Sequence, residues 1–178
     1  MANKIRGKYH TVTVTPTVFI GANGAGDITF LPTEIPNACY PGGTSLLKTI
    51  RVFDKADLGV DISLLFFETK PTVEALGVAA ALFTLAGGNN TDALVQAANR
   101  LGSVTIDVDG DSTTALNHTD NRTYIQSGID MFSTSNPSQS HIDAETGVPG
   151  SIYVMGIAVG TPTTTVDSYT FQFIFEVY

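Results

Sequence analysis

A chain of 178 residues and 18.8 kDa is the size of one domain, and it buries roughly 70% of its unfolded surface, so it needs no covalent or metal staple to fold. The 43% hydrophobic content excludes wholesale disorder, while a single cysteine, Cys39, excludes an internal disulfide and a multi-cysteine zinc site. Nine Lys and Arg against 17 Asp and Glu leave a net charge of -8, the opposite of what phosphate neutralisation requires, so a nucleic-acid partner is not expected.

Only 15% of residues are charged, and Thr, Ser, Asn and Gly supply much of the remaining polarity, a mix suited to strands, turns and covered surfaces. No apolar run approaches the ~20 residues of a membrane span. The opening MANKIRGKYH has no apolar core of a secretory signal, so the chain is expected to be made in a cytoplasm and kept or assembled there.

In chain order, residues 1–8 form a short basic arm carrying Lys4, Arg6 and Lys8, and 9–178 form one β-sandwich domain. From Tyr9 to Ile20, Thr11, Thr13, Thr15 and Thr17 alternate with Val12, Val14 and Val18, a period of two with β-branched residues, and Pro16 implies an edge or a bend. GANGAGD (21–27) is a turn, Ile28–Leu31 a short strand, and Pro32, Pro36, Pro41, Gly42 and Gly43 mark a loop. Ser45–Asp54 is the next strand, with alternate residues opposed along its length. After a polar turn, Val60–Glu68 is expected to pair with it antiparallel. The second half of that strand is apolar on both faces, which implies a strand covered on both sides.

Val73–Ala86 is ambiguous between helix and strand. Thr91 is placed to cap a short helix reaching Leu101, and Gly102 stops it. Ser103–Val108 is a strand. Residues 109–150, rich in Asp, Asn, Ser, Thr and Gly, read as a long polar loop interrupted by one short strand at Thr123–Gln126. Ser151–Val159 is an apolar strand. YTFQFIFEVY (169–178) closes the chain with Tyr169, Phe171, Phe173, Phe175 and Val177 on one face. A terminal strand this apolar is central in its sheet or covered by a partner. About eight strands, one or two short helices in connections and no βαβ alternation give an all-β, antiparallel, jelly-roll-like β-sandwich.

The sharpest chemical motif is DVDGD, in which Asp107, Asp109 and Asp111 alternate in a turn and form a weak candidate for a hard cation. It lacks the glycine and glutamate spacing of an EF-hand, and Asp-Gly is itself a strong turn pair. His10, His118 and His141 show no metal-ligand spacing, Cys39 has no activating neighbour in sequence, and GANGAGD departs from both phosphate-loop patterns. No catalytic residue, metal or cofactor is assigned, and the chain is read as a non-enzyme. On the terminal strand, Ile174 and Tyr178 face away from the Phe row and are the candidate subunit interface.

Three stretches carry a family likeness: LLKTIRVFDKADLGVDISLLFFETKPT (46–72), LGSVTI (101–106) and SIYVMGIAVGTPTTTVDSYTFQFIFEVY (151–178). A strand ends in Asp54, a polar turn follows, and the next strand ends in Phe66 and Phe67 before Pro71 and Thr72. Later come Tyr153, then Gly160, Thr161, Pro162 and Thr163, then the alternating strand from Tyr169 to Val177. Over roughly half of the chain this resembles the capsid decoration, or cement, proteins of tailed bacteriophages.

The resemblance implies a virion protein that binds the outer surface of a phage capsid and cements the major capsid protein lattice, commonly as a homotrimer, after synthesis in the bacterial host cytoplasm. Lys4, Arg6 and Lys8 are then the candidate capsid-binding residues. The alternative reading is a phage tail, fibre or jelly-roll module that binds glycans through the 107–150 region. No nucleic acid and no membrane is expected as a partner in either.

Overall fold

The computed structural model of the chain describes residues 8–39, 44–56, 58–59, 61–71, 76–77, 100–107, 114–118, 121–134, 150–165 and 168–178, with backbone alone for 100, 114–118, 121 and 132–134. Eleven strands follow in order: β1 (Lys8–Val14), β2 (Gly21–Ala22), β3 (Ile28–Ile35), β4 (Thr44–Asp54), β5 (Ile62–Phe67), β6 (Arg100–Ile106), β7 (Thr114–His118), β8 (Asn121–Thr134), β9 (Ile152–Ala158), β10 (Thr163–Thr164) and β11 (Tyr169–Val177). One sheet has the order β1-β11-β4-β8-β7, the other β3-β9-β5-β6, and β2 with β10 forms a short ribbon.

Every pairing is antiparallel. The partners nest: β1 with β11, β3 with β9, β4 with β8, β5 with β6. The chain is therefore one long hairpin folded back near the β5–β6 connection and rolled, so that successive pairs fall in opposite sheets. That is jelly-roll topology.

Period-two alternation places the core. Val12 and Val14 of β1, Ile50 and Val52 of β4, and Phe171, Phe173 and Phe175 of β11 point between the sheets, where Leu64 and Phe66 of β5 and Val154 of β9 meet them. The three β11 rings are fully buried. Phe171 lies 5.4 Å from Phe30 and Phe173 meets Phe66 edge-on at 5.8 Å, so β11 ties the two sheets together through aromatic contacts. The expectation that β11 is central holds, because β1 and β4 flank it.

The expected two-sided burial of β5 also holds. Leu65 and Phe67 point to the outside of the four-stranded sheet, and with Ile28, Tyr153, Met155 and Ile157 they form a second buried cluster against which Leu76 packs.

Several expectations are corrected. β4 and β5 do not pair; they belong to different sheets. Asp54 explains the crossing. Its buried carboxylate accepts hydrogen bonds from the Ala56 N–H (3.2 Å) and the Gly59 N–H (3.1 Å), and the Lys55 N–H donates to the Ser168 carbonyl (2.8 Å), which pins the turn that leads out of the first sheet.

The strict alternation through 45–54 breaks at Lys48, where the register shifts against β8 and inverts which residues face inward. Leu46 consequently shares the outer face with Thr49 and Arg51, while Leu47 joins the core. β3 runs on through Pro32 because it is an edge strand, where a missing N–H is tolerated.

The 109–150 region is not one long loop around a short strand. It contains β7 and the 14-residue β8. β8 pairs with β4 along its length, and this pairing overrides a polar composition. Leu101 belongs to β6, not to a helix, and no helix occurs among the described residues. The proposed helical residues 91–98 and the ambiguous 78–86 lie outside the described residues, as do 72–75.

Gly150 carries a positive φ of 85°, and a Cβ there would collide with the carbonyl oxygen of Cys39, whose N–H it accepts at 2.9 Å. Gly150→Ala is expected to cost more than about 1 kcal/mol in denaturant unfolding. Phe173→Ala, at the sheet-to-sheet contact, is expected to cost about 3–5 kcal/mol by the same measurement.

Burial, with Asp54 and Tyr124 close by, pushes the Tyr169 phenol above its usual range. The folded state thus holds that proton more tightly than the unfolded chain, so this contribution is intact below pH ~10 and is lost as pH rises beyond it. Unfolding midpoints measured above pH 10 are expected to fall with pH, less steeply in Tyr169→Phe than in the parent. Equal slopes would contradict the assignment.

Candidate functional site

The outer faces of the two sheets differ. On the four-stranded sheet, the outward residues Leu65, Phe67, Tyr153, Met155 and Ile157 are at most 6% exposed, so that face is covered over β5 and β9, while Ser103 and Thr105 of β6 stay exposed at its edge. The five-stranded sheet carries Tyr9, Thr11 and Thr13 of β1, Gln172, Ile174 and Glu176 of β11, and Leu46, Thr49, Arg51 and Phe53 of β4 on its outside, with Thr123, Ile125 and Ser127 of β8 beyond them. Register aligns these into rows: Thr11–Ile174–Thr49–Ser127, and Thr13–Gln172–Arg51–Ile125. This is a broad face of Thr, Ser and half-buried apolar side chains with few charges.

Charge and aromatic exposure concentrate at one corner. Tyr9 is 69% exposed and Tyr178 54%, and the Tyr178 N–H donates to the Thr44 carbonyl at 3.0 Å, which extends β11 along the start of β4. The Tyr178 hydroxyl donates to the Glu176 carboxylate, and this bond, then desolvation and the carboxylate charge, holds the phenol above its ordinary value. Lys48, projected by the β4 bulge, pairs with Asp130 at 2.5 Å, and that hydrogen bond raises its ammonium pKa. The β8 side of the same irregularity contains Gly128 at φ 74°, a left-handed position that glycine adopts without steric cost.

Three of the sequence candidates fall on β1 and at the end of β11, but Lys8, paired with core-facing Val177, has the opposite strand parity from Ile174 and Tyr178 on the outer side. Lys8 begins β1 opposite Val177, Ile174 is half-buried on the outer face of the same sheet, and Tyr178 follows Val177 at the chain end. Lys8 is therefore the first strand residue and not part of the arm. Lys4 and Arg6 lie outside the described residues. Asp107 is half-buried just after β6, while Asp109 and Asp111 lie outside the described residues, and so does His141. Among the described residues, no group of three or more His, Cys, Asp and Glu is arranged to hold a metal. Cys39 is buried, with its thiol 2.9 Å from the Ser45 hydroxyl.

Sequence reasoning missed Tyr9, Lys48, Glu176 and Asp130 as parts of this corner. Odd-position alternation in 9–13 already put Tyr9 on the Thr face. The Lys48–Asp130 pair, 82 residues apart, depends on a bulge and a long-range register that no local pattern carries.

No protein-family model matches the chain, and no curated protein matches it by sequence. Among solved structures, one from Desmodium yellow mottle tymovirus is similar at a TM-score of 0.27 and 9% identity, over 99% of this chain and 85% of that one. Another, from a heated full particle of Israeli acute paralysis virus, is similar at a TM-score of 0.28 and 10% identity, over 96% of this chain and 66% of that one.

Replacing Glu176 by Gln removes the carboxylate that raises the Tyr178 phenol. Ionisation of Tyr178, followed by NMR of its ring carbons, is expected to move down toward the ordinary tyrosine value of ~10. An unchanged midpoint would remove Glu176 from the corner.

Proposed function

We propose that this chain is a virion structural protein that binds the outer surface of a phage capsid and decorates or cements the major capsid protein lattice, with the open face of its five-stranded sheet as the contact surface. The observation that carries the reading is the asymmetry of the sandwich: one outer face is covered over its apolar centre on β5 and β9, and the other is a wide, weakly charged, Thr-rich surface with two exposed tyrosines at its corner. Jelly-roll sandwiches serve as capsid and lectin domains, an analogy at the level of fold. The strand and turn pattern shared with phage decoration proteins adds to it.

Such a surface suits the task. A protein that holds capsomers together needs many modest contacts with low desolvation cost, since a lattice multiplies each one. Tyrosine gives large contact area with little entropy loss on binding, and hydroxyl side chains hydrogen-bond directly or through water. In a chain of net charge -8, the sequence places Lys4, Arg6 and Lys8 close together just before and at the start of β1, basic residues able to meet acidic groups on a capsid.

The test uses capsids of the encoding phage assembled without this protein, and measures occupancy by co-sedimentation. Ile174→Asp combined with Tyr178→Ala is expected to weaken binding at least about tenfold, roughly 1.4 kcal/mol, with the far-ultraviolet spectrum unchanged. Removal of residues 2–7, which leaves β1 whole, is expected to weaken it further. Full occupancy by a folded double variant would overturn the assignment of this face, and absence of binding by the parent protein would overturn the capsid reading itself.

A further inference from the structure

We propose that the outer edge of β1 is a self-association edge, along which two copies pair antiparallel about a two-fold axis at Thr11 and join their five-stranded sheets into one continuous sheet. This needs no capsid and does not depend on the capsid reading. It differs from the threefold assembly that the family resemblance implies.

The sheet edges are not equivalent. On the four-stranded sheet both edges are interrupted: β3 breaks register twice and contains Pro32, and β6 shifts register beside Phe66 and Phe67. On the five-stranded sheet, β7 offers five residues, the arm of a hairpin with β8. β1 pairs with β11 over seven consecutive residues without a shift. It has no Pro, no Gly and no carboxylate, and its one formal charge at neutral pH is on Lys8, its first residue. Among the described residues no strand pairs with its other side. Edges left long, regular and uncharged pair with further strands, which is why bulges, prolines and charges normally interrupt them.

A second copy fits this edge in side-chain terms. With the axis at Thr11, Thr11 faces Thr11 of the second copy, Tyr9 faces Thr13, His10 faces Val12, and Lys8 faces Val14. Outer-face residues meet outer-face residues, because strand parity is preserved. The Thr–Thr and Tyr–Thr pairs are among those that stabilise antiparallel neighbours. Thr11 and Thr13 are both exposed, so among the described residues nothing covers these two side chains.

Charge favours this edge over a random approach. Each chain carries -8, so two copies repel in most orientations, but this strand brings no carboxylate of its own to the contact. The two Lys8 side chains fall at opposite ends of the paired strands, about 20 Å apart and beyond the screening length of ~8 Å at physiological ionic strength. A seven-residue edge makes a small interface, so the dimer is expected in the transient range of affinity.

Sedimentation equilibrium without capsids, from about 10 μM to about 1 mM, tests it. The mass is expected to rise with concentration from 18.8 kDa toward twice that value. Thr11→Lys sets two ammonium groups directly opposite each other and is expected to raise the dissociation constant at least about tenfold. Ser103→Lys, at an exposed position on β6, is expected to leave it unchanged, and circular dichroism verifies that both variants fold. A constant monomer mass over the whole range, a trimer, or a dimer indifferent to Thr11→Lys would overturn the proposal.

Discussion

The fold depends on where β11 is placed. Its Phe171, Phe173 and Phe175 rings are fully buried between the sheets, and its backbone is laddered on both sides, to β1 and to β4. A strand from the end of the chain therefore closes against one from its beginning, and every other nested pair follows inside that closure. The aromatic row supplies the apolar burial that offsets the entropy of bringing distant segments together. The edge-on contact of Phe173 with Phe66 and the contact of Phe171 with Phe30 carry that row across to the second sheet.

The two faces exposed by this closure have different destinies. Outside the four-stranded sheet, Leu65, Phe67, Tyr153, Met155 and Ile157 build a second apolar layer, with Leu76 against it. Outside the five-stranded sheet the same alternation puts Thr, Ser, Gln and Arg beside half-buried Ile174, Phe53 and Ile125. One face is buried over its apolar centre, and the other keeps polar and half-buried side chains at its surface. The bulge at Lys48 adds polar detail at the corner by turning that side chain toward Asp130 and placing Leu46 on the outer surface.

Local pattern made the strands legible where each strand has one wet and one dry face. The Thr/Val alternation of 11–18 and the aromatic alternation of 169–177 are direct readings of burial, and the doubly apolar LLFF of β5 announced its two covered sides. Ile174 and Tyr178 could be assigned to an outer face for the same reason. What the sequence hides is pairing. β4 and β5 adjoin in sequence and look like a hairpin, yet the turn held by Asp54 sends them to different sheets. β8 scatters Tyr124, Ile125, Ile129, Met131 and Phe132 among Asn, Arg, Thr, Gln, Ser and Asp, with too little regular alternation to mark 14 residues as one strand, and it becomes a strand because β4 offers it a ladder. The tyrosine and ion-pair corner is invisible for the same cause, since it joins residues from β1, β4, β8 and the chain end.

The central claim is that this sandwich is a shell component that meets the capsid through the open face of its five-stranded sheet. The most direct measurement is a single-particle reconstruction of the virion, at a resolution that distinguishes the two sheets. The account predicts the sandwich on the outer capsid surface with Thr49, Gln172, Ile174 and Tyr178 toward the shell and the four-stranded sheet away from it. Density for this chain in the tail, or a sandwich resting on the capsid through its four-stranded sheet, would contradict it.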